Sequence, residues 1–206
     1  MKELLKDIWL SQIKGKTELK EIIRRHGMDK VKKAEIEGFI RVGDEKVELR
    51  EKGRKRIKVV LAGGVFDILH PGHVFFLSKA RELGDILIVI VARDSTVRNR
   101  KRIPIVASKQ RVELVKALKP VDLALIGRSE NIFNILEEIQ PDIVALGPNQ
   151  YHVEKDIEME GERRGMKLKA VRIKEFKACE LSSTRAILQR IIDRNFPLTR
   201  QKLEGK

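Results

Sequence analysis

The chain has 206 residues, enough for one medium domain and a small one, and its 42% hydrophobic content excludes wholesale disorder. Lys and Arg outnumber Asp and Glu by 44 to 30, and the resulting +14 points to partners that carry phosphate, whether small nucleotides or nucleic acid. Cys179 is the single cysteine, which excludes an internal disulfide and a cysteine-based zinc site.

Residues 1–56 read as a module of their own. Leu4, Leu5, Ile8, Trp9 and Ile13 fall at helical spacing, as do Leu19, Ile22 and Ile23 behind Thr17, a residue suited to an N-cap. A further helix is expected from Met28 to Glu37, and a small hairpin from Phe39 to Leu49 turning at Gly43-Asp44. Short helices followed by a hairpin make a winged-helix-like unit. The charge-dense stretch from Glu51 to Arg56 reads as its connection to the rest. The charged start of the chain (Lys2, Glu3, Lys6, Asp7) lacks the apolar block of a signal peptide, and the longest apolar run, from Ile86 to Ala92, is too short to cross a bilayer. A cytoplasmic location with no membrane partner is therefore expected.

From Ile57 onward the pattern becomes strand and helix in alternation. Strands are expected at 57–62, 86–92, 123–126, 143–146 and 168–173, with helices over about 72–83, 109–118, 131–139, 153–164 and 182–194. Apolar strands that do not alternate with polar residues, each followed by an amphipathic helix, predict a parallel sheet covered on both faces. Residues 57–206 are thus expected to form an α/β domain of the Rossmann-like, doubly wound kind, which binds ligands outside the carboxyl ends of its strands.

The first of these strands runs into Gly63-Gly64-Val65-Phe66-Asp67-Ile68-Leu69-His70-Pro71-Gly72-His73. The glycines allow the backbone to approach a phosphate, and Pro71 suits the first turn of a helix. His70 and His73, three residues apart, share one side of that turn beside the positive end of the helix dipole, which suits a polyphosphate. Read blandly, His70 caps the helix and His73 is a core residue; the glycine loop at a strand end favours the functional reading. Ser182-Ser183-Thr184-Arg185 begins the last helix with more hydroxyls than a cap requires, as a second anion site would. Neither segment has the Gly-Lys-Ser/Thr of a Walker A loop. The basic run Arg98 to Arg102 follows strand two, and Lys101 is its best candidate to close over a triphosphate or acceptor; a solvated loop is the competing reading.

These motifs, HxGH after a GxFD turn and a late SSTR helix start, resemble the cytidylyltransferase-like nucleotidyltransferase family over roughly residues 57–193. Within it the chain is most similar to the archaeal-type FAD synthases, through residues 66–73, 88–94, 117–122 and Leu146-Gly147-Pro148-Asn149-Gln150. The resemblance implies transfer of AMP from ATP to FMN with release of pyrophosphate, assisted by Mg²⁺ or another divalent cation. It implies that His70 and His73 hold the α and β phosphates, and that Gly64, Val65, Phe66, Asp67 and Gly72 form the turn around the nucleotide, with Asp67 near the acceptor or the metal. Arg111 is implied near the active site or a subunit contact, Gly147 to Gln150 at the base, and Ser182, Ser183, Thr184 and Arg185 at the phosphates. Lys177 stands where the family often has an arginine, and Pro148-Asn149 where it often has an acidic pair; the second departure bears on the choice of base. The family often forms dimers, so a homodimer is a further expectation.

Two other functions fit the same residues. One is a cytidylyltransferase using CTP and a phospho-alcohol such as glycerol 3-phosphate. The other is a nucleotide-sensing regulator that binds DNA through residues 1–56, which hold 17 basic and 11 acidic side chains. Asp29, Glu35 and Glu37 among the lysines of the candidate recognition helix favour a structural role for that unit instead.

Overall fold

The computed structural model describes residues 1–15, 17–99, 103–128 and 133–195. The amino-terminal part consists of helices α1 (Lys2–Ile13), α2 (Leu19–His26) and α3 (Met28–Ile36) and an antiparallel pair, β1 (Ile40–Val42) with β2 (Val47–Leu49). Leu4, Leu5 and Ile8 of α1 pack with Ile22, Val31, Ala34, Ile40 and Val47 in one buried cluster, which is why the helical spacing was legible. Thr17 is not the cap of α2: Glu18 occupies that place and no side chain caps the helix.

The stretch after the hairpin is not a loose connector. It forms a short helix, α4 (Glu51–Arg54), whose Gly53 is buried so tightly that a Cβ would collide with the Phe39 carbonyl oxygen. Arg54 donates to the carbonyl oxygens of Ile57 (2.9 Å) and Gln140 (2.6 Å) and to the Asp142 carboxylate (2.8 Å), with its guanidinium lying 5.0 Å from the Trp9 ring centroid.

The remaining strands are β3 (Val59–Gly64), β4 (Ile86–Val91), β5 (Leu123–Ile126), β6 (Ile143–Leu146) and β7 (Lys169–Arg172), all parallel, in the order β5-β4-β3-β6-β7. The chain starts in the middle, winds outward to β5, then returns to lay β6 against the free side of β3. That reversal creates a crevice at the carboxyl ends of β3 and β6. Helices α5 (Pro71–Glu82) and α7 (Ser108–Lys116) pack on one face, with Val60, Ala62, Leu77, Leu87, Val89 and Val115 in its core. Helices α8 (Asn134–Ile139) and α9 (Glu154–Arg163) cover the other, where Leu61, Ile88, Leu136, Val144 and Ile157 join the cluster that continues into the amino-terminal part. Burial on both faces explains the unbroken apolar runs. A short α6 (Asp94–Arg98) and the last helix, α10 (Thr184–Asn195), complete the order.

A parallel sheet leaves N–H groups to satisfy at its amino edge, and three aspartates do so. Asp85 accepts from Lys58 N–H (2.8 Å), Asp122 from Leu87 N–H (2.7 Å) and Asp142 from Val59 N–H (2.7 Å). Two of them also hold the amino-terminal part, Asp85 through Lys2 (2.8 Å) and Asp142 through Arg54. That part therefore sits at the amino edge, and the crevice opens at the carboxyl edge. No described helix is long and apolar enough to cross a membrane. Gly53→Ala, which forces a Cβ into the Phe39 backbone, is expected to cost about 1–3 kcal/mol, read as a lowered midpoint in urea unfolding.

Candidate active site

The carboxyl end of β3 turns through Gly64, Val65 and Phe66 into the head of α5. Phe66 adopts a left-handed backbone (φ 51°), which lays its ring over Gly64, where a Cβ would come within 2.8 Å of Cε2. The ring then faces His73, centroid to centroid at 5.2 Å. Pro71 occupies the first turn of α5, and His70 stands at its N-cap without using its side chain as a cap. The bland role for His70 is thus absent.

His70 and His73 stack with centroids 3.7 Å apart and planes inclined by 22°. The Nδ1 atoms of both are buried and lack a hydrogen-bond partner. Burial pulls the His70 pKa below its ordinary value; burial and then the neighbouring His70 bring His73 down to about 4. Both imidazoles are consequently neutral near pH 7, and an arriving polyanion is the partner that would favour their charged form.

The hydroxyl-rich start of α10 meets this turn directly. A Cβ on Gly72 would lie 2.7 Å from the Ser182 carbonyl oxygen, so the absence of a side chain at 72 lets the two segments touch. Ser183 Oγ caps α10 by accepting Ala186 N–H (3.1 Å), and Thr184 opens the helix. Two helix N-termini, from α5 and α10, therefore converge at one place, each with its positive end forward. Arg185 and Lys177 are exposed on the segment leading into and through that turn. Lys101 lies outside the described residues.

Two expected site residues are committed to protein. Asp67 accepts from the N–H groups of Ile105 (3.0 Å) and Val106 (2.8 Å), fastening the loop ahead of α7 to the β3 turn. Arg111 is 0% exposed; its guanidinium donates to the carbonyl oxygens of Val106 (2.8 Å), Val65 and Ala92 (2.8 Å) and to the Asp94 carboxylate (2.6 Å). Near the active site, as implied, Arg111 is a brace that ties the ends of β3 and β4 to α6 and α7. Burial works to raise the Asp94 pKa, but hydrogen bonds from Arg111 and from Ser108 outweigh it and hold the carboxyl below its usual range.

After β6, Gly147 and Gln150 close the crevice. The Gln150 side chain accepts Gly147 N–H (3.1 Å) and donates to the Gly63 carbonyl oxygen (2.5 Å), spanning β6 and β3 where the topology reverses. Arg172, which sequence reasoning missed, holds this loop from below. It donates to the carbonyl oxygens of Gly147 (2.9 Å), Gln150 (2.9 Å) and His152 (2.5 Å) and makes a two-pronged pair with Glu154 (2.8 and 2.9 Å). An arginine at the carboxyl end of β7, between Val171 and Ile173, was the one available signal. A cavity of about 390 Å³ opens here, lined by Gly63, Gly64, Val65, Asn149 and Gln150 together with Arg93, Thr96, Gly127 and Phe133, which were also not anticipated. A second hollow of about 680 Å³, beside Asp142, Met159 and Leu168, belongs to the opposite edge.

Residues 61–190 match the cytidylyltransferase-like family, so the match begins inside β3 and ends inside α10, enclosing both motifs. The chain belongs to the cytidylyltransferase-like family. It is 52% identical over 139 residues to the FAD synthase of Methanothermus fervidus, covering 66% of this chain and 96% of that one, and 50% identical over 140 residues to the FAD synthase of Methanopyrus kandleri (66% and 93%). Among solved structures it resembles the lipopolysaccharide core biosynthesis protein of Thermoplasma volcanium, with a TM-score of 0.57 and 40% identity over 59% of this chain and 99% of that one. About a third of the chain thus lies outside these family relatives.

Two outcomes follow from the site's geometry. Gly72→Ala, which drives a Cβ into the Ser182 carbonyl, is expected to lower triphosphate affinity at least about tenfold by separating the two helix starts, as read by titration calorimetry. His73, neutral in the fold and with an ordinary pKa once unfolded, lets the unfolded chain bind the extra proton. Stability should therefore fall as pH drops from about 6.5 to about 4. The loss attributable to this group is on the order of 3 kcal/mol, and His73→Asn should show a shallower decline across that window in denaturant titrations than the parent.

Proposed function

We propose that this protein transfers AMP from ATP to FMN, forming FAD and releasing pyrophosphate. The observation that carries the reading is the meeting of the His70–His73 turn with the Ser182–Thr184 turn at the reversal point of the sheet. Two helix starts, two imidazoles and surplus hydroxyls gathered there suit a triphosphate, and the relatives named FAD synthase supply the chemistry.

An oxygen of the FMN phosphate attacks the α phosphorus of ATP in line, a new P–O bond forms, and the bond to the bridging oxygen breaks so that its electron pair leaves with pyrophosphate. Charge grows on the bridging and equatorial oxygens during this exchange, and no protein nucleophile is required. His70 and His73 donate to the α and β phosphates, with Ser182, Thr184 and Arg185 contacting the departing end and Lys177 close by. Preorganised donors of this kind act without reorganising at the moment of reaction. Arg111 and Asp67 fix the turn that presents the backbone of Gly64 and Val65, and Gln150 fixes Gly147 beside it. Lys101 is assigned to the acceptor side on sequence grounds.

Mg²⁺ is the cation assigned to the reaction; when bound with the triphosphate it would supply charge neutralisation. Among the described residues no group of three or more His, Cys, Asp or Glu side chains is placed to hold a metal ion. Residues 1–56 are assigned as a winged-helix-like module with a structural role, clamped by Lys2 and Arg54, and residues 57–206 as the transferase domain.

The decisive assay incubates the protein and Mg²⁺ with ATP or CTP and with FMN or glycerol 3-phosphate, identifying products by mass. FAD and pyrophosphate should appear from ATP and FMN alone; a CDP-alcohol from CTP would overturn the assignment. His70→Ala and His73→Ala should each lower kcat by about 10²–10³-fold or more with melting temperatures near the parent's.

A further inference from the structure

We infer that the 390 Å³ cavity is the seat of the flavin ring of FMN, and that Arg93 in its lining recognises the carbonyl oxygens at the ring's polar end. The inference rests on the functional reading above and adds to it where the acceptor lies.

The first argument is geometric. The pyrophosphate anchors, at the heads of α5 and α10, stand on the side of the sheet covered by α5 and α7: Phe76 and Leu77 of α5 and Ile173 just before the 174–183 segment belong to that core. The larger buried side chains of the cavity lining, Leu61, Leu136, Val144, Leu146 and Ile157, belong to the opposite core, beneath α8 and α9, with Ala62 and Ala145 from the first. In an in-line transfer the attacking and leaving oxygens lie on opposite sides of phosphorus. A leaving group held on one side of the sheet therefore calls for an acceptor reaching over from the other. Gly63, Gly64 and Val65 line the cavity and lead into the histidine turn, so they join the two sides.

The second argument is chemical. A flavin ring is flat and two-sided in character, with a dimethylbenzene end that is hydrocarbon and a dione end whose oxygens only accept hydrogen bonds. The cavity's lining has the same two parts, buried aliphatic residues such as Leu136 and Ile157 and polar ones that include Arg93, Arg128, Glu138 and Asn149. Adenine, with polar atoms around its whole edge, has no comparable hydrocarbon end to offer the wall. Arg93 brings the third observation: the residue lines this space, and its Nε is buried without a hydrogen-bond partner. A guanidinium has donors and no acceptor, so it suits carbonyl oxygens. An unmet buried donor beside a cavity is costly, and a ligand that shifts the guanidinium into contact would relieve it.

Gly127→Leu supplies the test, because Gly127 lines the cavity, and a Cβ there meets its nearest neighbour, Ile90 Cγ2, at an ordinary 3.4 Å. With the full chain, Gly127→Leu should raise KM for FMN at least tenfold, leave KM for ATP within twofold, and weaken inhibition by riboflavin, which carries the ring without the phosphate. Arg93→Ala should weaken FMN and riboflavin together and, being a separate change in the lining, gives a reading even where Gly127→Leu proves unstable by its melting temperature. A rise in KM for ATP with FMN unaffected would give the cavity to adenosine and overturn the inference, as would parental constants in a folded Arg93→Ala protein. A parent protein that makes no FAD from ATP and FMN refutes the functional reading itself, whereas a parent that makes FAD alongside indifferent variants refutes only this seat.

Discussion

The site depends on a contact too close for any side chain: the backbone of Ser182 against Gly72. Through it the first and last helices of the parallel domain bring their amino ends to one point, although more than a hundred residues separate them. Helix ends of like polarity repel, and the cost of gathering them is recovered when a polyanion arrives between them. The same economy holds for the histidines. Desolvation keeps them neutral and stacked, a state in which they do not repel one another, and a phosphate is what makes their charging favourable.

Behind that contact stand three arginines with a common task. Arg54, Arg111 and Arg172 each spread a guanidinium across two or three backbone carbonyl oxygens and one carboxylate, fastening respectively the amino edge of the sheet, the β3 and β4 turns, and the loop after β6. A lysine, with a single ammonium on a flexible stem, does not span such sets. These three basic residues are internal braces, each matched by a carboxylate, so the pairs cancel and the +14 is carried by other side chains.

This bears on what could be read in advance. The five strands, their order of appearance and the HxGH and SSTR segments were legible because burial on two faces and helix-start chemistry leave local marks: unbroken runs such as residues 86–91, or Pro71 beside Gly72. The short α4 and α6 were not, being four and five residues long and too brief to show a period. Nor was the fate of Asp67 and Arg111. Their partners lie 38 and 46 residues away in Ile105 and Val65, and a charged side chain in a motif reads as a ligand until its hydrogen bonds are counted. Thr17 carried the right chemistry for a cap, yet the chain entered α2 one residue later. Arg93 and the cavity wall escaped notice because a pocket assembled from four strand ends has no continuous sequence of its own.

The amino-terminal part occupies the edge of the sheet opposite the crevice, held there by Lys2 and Arg54 on two aspartates that already serve the strands. The crevice opens at the far rim, so residues 1–56 do not stand in its way. Such an arrangement puts the length of the strands between the two, although one apolar cluster runs through both.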